Sequence, residues 1–294
     1  MSKQNIELAQ WAVNKAIKYG ADQAAASISN QRQVEIEYRD KQLDKLKEST
    51  QNGLNLSIYF NHRYSSHSTN DLRKSTLDKF IEEAVAATKY LTEDKYRELP
   101  DPSLYPKDVS GDLQIKDGTY DDVTSKERKK IAEEIEEIAM SVSDKIISAT
   151  SGYVDVIYDA SRVNSNGFVG ESQGTNFYTG AEVTVKDGDK GRPSDWYWPG
   201  TRFKGDLPDP AIIGKEAANR ALGKIGQKKI ESGSYIMVVE NRTGSGLLRM
   251  LKGPMSARSL QQKNSFLEGM LNKKIASEKF TMKDDPFVKK GMGW

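Results

Sequence analysis

The sequence contains no cysteine and only two histidines, His62 and His67. The first absence removes disulfides and every thiolate metal site, and in a chain of 294 residues it fits a reducing compartment. The second leaves too few imidazoles for a hydrolytic zinc centre built on paired histidines. His62 and His67 lie five apart in strand-and-turn context, with no third ligand in the pattern. No apolar run approaches the roughly 20 residues a bilayer span requires. The N-terminus interrupts each apolar pair with polar residues, so it shows neither an h-region nor a cleavage site. Charge of one sign is also lacking, since 44 Lys and Arg face 42 Asp and Glu with the signs mixed along the chain. A nucleic-acid binder would gather its basic residues on one face. There is no internal repeat and no low-complexity tract. These absences predict a soluble, cytoplasmic protein, and 36% hydrophobic residues suffice for buried cores.

What is present is an alternation of two hydrophobic periods. Leu8, Ala12 and Ala16, with Val13 and Ile17, recur at helical spacing, and Gly20 follows as a C-terminal stop. The period then becomes two: Val34, Ile36 and Tyr38, and later Leu54, Leu56, Ile58 and Phe60, alternate with polar residues as half-buried antiparallel strands do. Arg39 with Asp40, and Asn61 with His62, supply the turns. Ser75 and Asp78, at capping-box spacing, predict a second helix carrying Leu77, Phe80, Ile81, Ala84, Val85 and Thr88 on one stripe. Residues 92–123, rich in Pro, Asp, Lys and Gly, read as a connection. Thr124 and Glu127 form a capping box before Ile131, Ile135, Ile138 and Val142. Strands are expected again from Tyr153, with Asn164-Ser165-Asn166-Gly167 as a hairpin turn and another strand pair around Asp187-Gly188. A helix across Ile213, Ala217, Ala221 and Leu222 leads to a run, Ile236 to Val239, that predicts a strand covered on both faces, and a further helical stretch follows.

The residues that could carry chemistry are few. Ser65, Ser66, Ser68 and Thr69 crowd around His67, but sequence neighbours on a strand point to opposite faces and no Gly-x-Ser-x-Gly elbow exposes a nucleophile, so polar edge-strand residues are the better explanation of the cluster. Gly167, Gly170 and Gly174 do not open a helix, and Gly244-Ser245-Gly246 lacks the lysine of a phosphate loop. Trp196, Tyr197 and Trp198 stand out, because three consecutive large aromatics on a strand leave one face exposed unless a partner covers it.

Several stretches, in order and spacing, resemble the TldD/PmbA family. They are the first helix ending Gly20-Ala21-Asp22, the segment from Val34 to Phe60 with its RDKQLDKLKES centre, and Ser68-Thr69-Asn70-Asp71-Leu72. The turn from Val163 to Gly167, the region from Trp196 to Trp198, Asn264-Ser265-Phe266-Leu267, and Thr281 to Pro286 extend the likeness along the whole chain. In this family the TldD-type subunit bears a His-Glu-x-x-x-His zinc motif after a Gly-Leu-Leu-like lead-in. Here Gly246-Leu247-Leu248 puts Arg249 at the first His, Met250 at the Glu and Pro254 at the second His. A guanidinium and a pyrrolidine offer a metal no lone pair, and a thioether is no general base.

The resemblance therefore implies a TldE/PmbA-like subunit of a metallopeptidase complex acting on unfolded peptides. Zinc would reside in a TldD-like partner, with no cofactor, metal or catalytic residue assigned to this chain. Its expected partners are that subunit and an unfolded peptide held by strand addition, with no nucleic acid and no membrane. Peptide or partner contacts are expected at His67, Ser68, Asn70 and Asp71 and at Trp196 and Trp198, although Asn70 and Asp71 also read as a helix-start signal. Two alternatives are a self-sufficient peptidase using the His67 region or an unrecognised site beyond these residues, and a regulator of DNA gyrase, a label the family also carries. The implied fold class is α+β, with antiparallel sheets and helices in the N-terminal part and the start of a β-rich C-terminal domain. Its expected divisions are residues 1–110, 111–230 and 231–294. Family members continue past the point matching Trp294, which implies that the chain stops before that last domain is complete.

Overall fold

The structure is a computed structural model that describes residues 2–107, 111–189 and 191–292. Trp294, where the family likeness places the break, lies outside them. The chain divides into two compact units, Met1–Gly226 with Pro286–Trp294, and Gln227–Asp285.

The first unit is one antiparallel sheet with every one of its long helices on the same face. Helix α1 (Ser2–Lys18) is followed by β1 (Gln23–Arg39), β2 (Gln42–Phe60), β3 (Arg63–Thr69) and α2 (Lys74–Thr88). After the connection come α3 (Ser125–Ser141), β4 (Ile146–Asn164), β5 (Val169–Val185), β6 (Ser194–Tyr197), β7 (Gly200–Thr201) and α4 (Pro210–Leu222). The strand order is β3-β2-β1-β4-β5-β6, with β7 also on β5. Residues 1–110 and 111–230 thus contribute to one sheet, joined where β1 pairs with β4.

The strands run longer than the apolar alternation predicts, because two-residue turns extend the ladder into polar sequence. Asp40 and Lys41 (φ 51° and 58°) join β1 to β2, and Asn61 with His62 (φ 43° and 59°) joins β2 to β3. Positive φ at both central residues matches the right-handed twist of the paired strands, so the hairpins close without splaying. Asn30↔Asn52 and Gln31↔Gln51 are then paired by register although neither strand is apolar there. The β4–β5 hairpin turns on Gly167 (φ 98°), as the Asn-Gly signal predicts.

Alternation decides which face is covered. Ala24, Ala26, Ile28, Val34 and Ile36 of β1 point one way, aligned with Leu54, Leu56 and Ile58 of β2 and with Tyr153 and Val163 of β4. Helices α1 and α2 cover one half of that face through Ala9, Ala12, Val13, Ala16, Leu77, Ile81 and Val85. The stripe on α1 is rotated from the predicted one, since Ile17 is exposed and Ala9 is buried. Alanines on the helix over alanines on the strand let the two backbones approach closely. Helices α3 and α4 cover the other half through Ile135, Ala139, Ile213 and Ala217.

Helix starts follow the sequence in one case and depart from it in another. Thr124 Oγ1 accepts from the Glu127 amide at 3.2 Å, as the capping box requires. Ser75 does not cap α2; the N-cap is Arg73, with no side-chain bond. Asp78 instead accepts from Tyr19 Oη at 2.9 Å and pairs with Lys15 at 2.7 Å, so a tertiary contact has taken the carboxylate that local reasoning gave to a cap.

Between α3 and the sheet lies an ion pair shut away from water. Arg128 Nε donates to Asp155 Oδ2 at 2.5 Å, Tyr120 Oη donates to Asp155 Oδ1 at 2.7 Å, and Arg128 Nη1 donates to the Val123 carbonyl. Asp155 is fully buried and the Arg128 side chain is 4% exposed. Burial and then the Asp155 carboxylate raise the Tyr120 hydroxyl far above its ordinary value, which keeps it a neutral donor.

The second unit holds α5 (Asn241–Lys252) and α6 (Ala257–Gln261), with no strand among its described residues. The strand expected across Ile236 to Val239 is therefore absent. Ile236 is 99% exposed and Val238 93%, because an apolar run with no neighbouring ladder has neither hydrogen-bond partners nor cover.

Removing one member of the buried pair strands the other charge. Asp155→Ala and Arg128→Ala are each expected to lower unfolding stability by about 3–5 kcal/mol in urea titrations, whereas Arg128→Met with Asp155→Leu recovers most of that loss.

Candidate functional site

The sequence-selected residues fall at opposite edges of the sheet. His67 and its neighbours lie on or just after β3, the first strand in the order, and Trp196 lies on β6, the last. Five strand spacings put them about 24 Å apart, so they do not form one site.

His67 is paired with Leu56 in register, which turns its ring toward α2. There it meets Phe80 edge-on, with centroids 6.2 Å apart and planes at 87°. Its Nε2 lies 2.9 Å from Ser65 Oγ, Ser65 Oγ bonds to Thr88 Oγ1, and Thr88 Oγ1 donates to the Ala84 carbonyl at 2.7 Å. The direction of this chain is fixed by its end. A carbonyl only accepts, so the single Thr88 proton is used there and Ser65 must donate to Thr88. Ser65 then has no proton left for the imidazole, and Nε2 must carry one. A ring that donates to a serine cannot also remove its proton, so this pair is not a nucleophile and base. Burial lowers the His67 pKa and favours the same neutral form.

The remaining residues of that segment serve local structure. Asn55 Nδ2 donates to Ser66 Oγ and Ser68 Oγ at 3.1 and 3.0 Å on the open face. Asn70 is exposed. Asp71 accepts from the Arg73 amide at 3.1 Å and pairs with the Arg73 guanidinium, which holds its carboxyl far below the usual range. This turn delivers the chain into α2, so Asp71 shapes the helix start from two residues before the N-cap.

The aromatic trio divides by strand alternation. Tyr197 pairs with Ala181 and packs with the α4 core, while Trp196, paired with Glu182, is exposed on the open face. Trp198 also takes the open face and lies across Gly152 and Gly180, which pair directly between β4 and β5. A methyl group at Gly152 would come within 2.8 Å of Trp198 Cη2, and one at Gly180 within 2.7 Å of Cγ and Cδ2. The two glycines form a trough for the indole, and sequence reasoning did not select them. The available signal was glycine inside a strand, which marks a close approach.

Arg249 and Met250 lie on α5 and are exposed, and Pro254 follows its C-cap, Gly253. Their atoms do not fit a divalent metal, and no three His, Asp or Glu side chains among the described residues come close enough together to hold a metal ion. Nor is any described helix long and apolar enough to cross a membrane.

Three family models match the chain: PmbA/TldA metallopeptidase domain 1 over residues 24–88, the central domain over 118–225 and the C-terminal domain over 232–294. Metalloprotease PmbA of Escherichia coli O157:H7 is 22% identical over 274 residues, which cover 92% of this chain and 60% of that protein. The chain thus spans about three fifths of the curated relatives it matches. A crystal structure from Bacteroides thetaiotaomicron, named as a candidate modulator of DNA gyrase, superposes with a TM-score of 0.91 at 36% identity, covering 98% of this chain and 65% of that one. TldE from Thermococcus kodakarensis shares the fold with a TM-score of 0.60 at 15% identity, over 73% of this chain and 47% of that one.

The state of His67 can be read from stability. Its folded pKa lies below the ordinary 6.5, so the stability present above that value is lost as pH falls through the folded pKa. His67→Gln keeps a donor for Ser65 and removes the titration. The urea midpoint of the parent is expected to fall more between about pH 8 and about pH 5 than that of the variant.

Proposed function

Because the chain belongs to the PmbA/TldD metallopeptidase family, we propose that it acts as a TldE/PmbA-like subunit. It pairs with a metal-bearing, TldD-like chain and helps to hold an unfolded peptide for cleavage there. What supports this reading is the donor set of the segment starting at Arg249, a guanidinium, a thioether and a pyrrolidine, where the family likeness leads one to expect two imidazoles and a carboxylate. Zinc belongs to the partner, and no step of hydrolysis is assigned to this chain.

Two features support a holding role. The first is an open ladder: β3 pairs with β2 only from Leu54 to Phe60, so residues 42–53 of β2 bond to β1 on one side and, among the described residues, to no strand on the other. Such an edge can accept an extended peptide through backbone hydrogen bonds, with little demand on sequence. Asp44, Lys45, Lys47 and Glu48 along it discourage pairing with other sheets. The second is the exposed apolar surface of the second unit, where Ile236, Val238, Phe266 and Leu271 are 70–99% exposed. Apolar exposure on this scale calls for a covering surface, as a partner subunit would supply.

The self-sufficient peptidase has no support from His67, whose proton points at Ser65. The gyrase label is the name of a similar protein, and mixed charge gives no basis for a nucleic-acid surface here. The test is purification of the chain from its native host with and without a TldD-like subunit, followed by metal analysis and peptide hydrolysis. Co-purification is expected, with zinc and cleavage only when the partner is present. Stoichiometric zinc and cleavage by this chain alone would overturn the proposal.

A further inference from the structure

The open face of the sheet carries a second feature that strand addition does not use. Register aligns Lys45, Glu37, Gly152 and Gly180 on one transverse line across β2, β1, β4 and β5, and Trp198 lies at its end. Because the two glycines present no side chains, the indole reclines along this line, with its six-membered ring above Gly152, one strand from Glu37. Glu35 and Glu182 flank the line on adjacent rows. The result is a cavity of about 350 Å³ lined by Glu35, Glu37, Gly152, Val154, Glu182 and Trp198.

Carboxylates scattered on a strand face are ordinarily a solvated surface. Here they surround a concave space with an aromatic wall and an apolar floor at Gly152 and Val154. Three carboxylates line it, and register sets three cations on the same face beside them: Lys45 across from Glu37, Lys47 across from Glu35 and Arg39 across from Thr150. Lys45 Nζ bonds to Glu35 Oε1 at 2.8 Å and Arg39 lies 3.7 Å from Asp40, so Glu37 and Glu182 are the carboxylates placed to meet a ligand. Glu182 accepts a hydrogen bond from Ser194 Oγ at 3.1 Å, which orients it without neutralising it. Carboxylates beside a half-buried indole form an environment that suits a cation on an aliphatic stem. The stem packs on the ring, the head gains cation–π attraction, and the carboxylates accept its protons.

We propose that this pocket binds the arginine or lysine side chain of an extended peptide, giving the subunit a preference for basic segments. The proposal deepens the holding role above and rests on it for the peptide. The pocket itself does not, because a free arginine derivative tests it alone.

The experiment measures binding to the full chain by titration calorimetry and tryptophan fluorescence. The probes are Nα-acetyl-argininamide, an alanine-rich peptide with one central arginine, and the same peptide with citrulline or norleucine. The arginine peptide is expected to bind about tenfold tighter than its citrulline and norleucine counterparts, with the preference shrinking as salt rises. Glu37→Gln with Glu182→Gln, and Trp198→Leu, should remove the preference. Lys45→Gln, which frees Glu35, should strengthen arginine binding about two- to threefold, a gain that misfolding cannot produce. Equal affinity for arginine and citrulline peptides would overturn the pocket and leave the holding role standing. Binding of the arginine derivative with no binding of any peptide would keep the pocket and sink the holding role. No binding of any probe would sink both.

Discussion

One carboxylate beneath a helix ties the architecture of the first unit together. Asp155 sits on β4, the strand that joins the halves of the sheet, and receives Arg128 from α3 and Tyr120 from the connection. Without those two donors its charge would be uncompensated in a dry interior, so α3 and the segment before it are held where the carboxylate is satisfied. The arrangement is not complete, because Arg128 Nη2 is buried with no partner of its own. Such a pair adds less to net stability than an apolar cluster would, while fixing how α3 lies on the sheet.

From that placement follows the one-sidedness of the sheet. Helices α1 to α4 all pack on the face of Ile28, Ile36 and Tyr153, and the opposite face carries polar side chains such as Gln33, Glu35, Asn55 and Glu182 beside Val154 and Trp196. A layer with one covered face leaves the other as a broad platform for contacts. The open edge of β2, the trough under Trp198 and the carboxylates beside it all belong to that platform or its rim. The hydroxyl chain ending at Ala84, by contrast, lies on the covered face, where it secures β3 to α2.

How much of this could be read from the residues depended on how local the cause was. The capping box at Thr124 and the turn at Gly167 are decided within four or five residues, and both were legible. The start of α2 was misread because Asp78 is claimed by Tyr19 and Lys15, a contact no short window contains. The polar centre of β1 and β2 shows no alternation and is a strand only because its neighbours fix the register. Ile236 to Val239 failed the other way: apolar content predicts burial only when something is available to cover it. At the candidate sites, Trp196 and Trp198 were picked out by composition alone. Glu35, Glu37, Gly152 and Glu182 were missed because they come from three strands far apart in sequence and meet only through the ladder.

The two-residue turn at Asp40 and Lys41 has a consequence for how this sequence can change over time. Side chains of β1 alternate faces, so loss or gain of one residue within it would turn Ile36 to water and Glu37 into the core along the rest of the strand. Length variation is therefore tolerable where a hairpin ends and nearly forbidden between its ends. Related chains should differ in size at the tips of their ladders and agree, residue for residue, along the rungs.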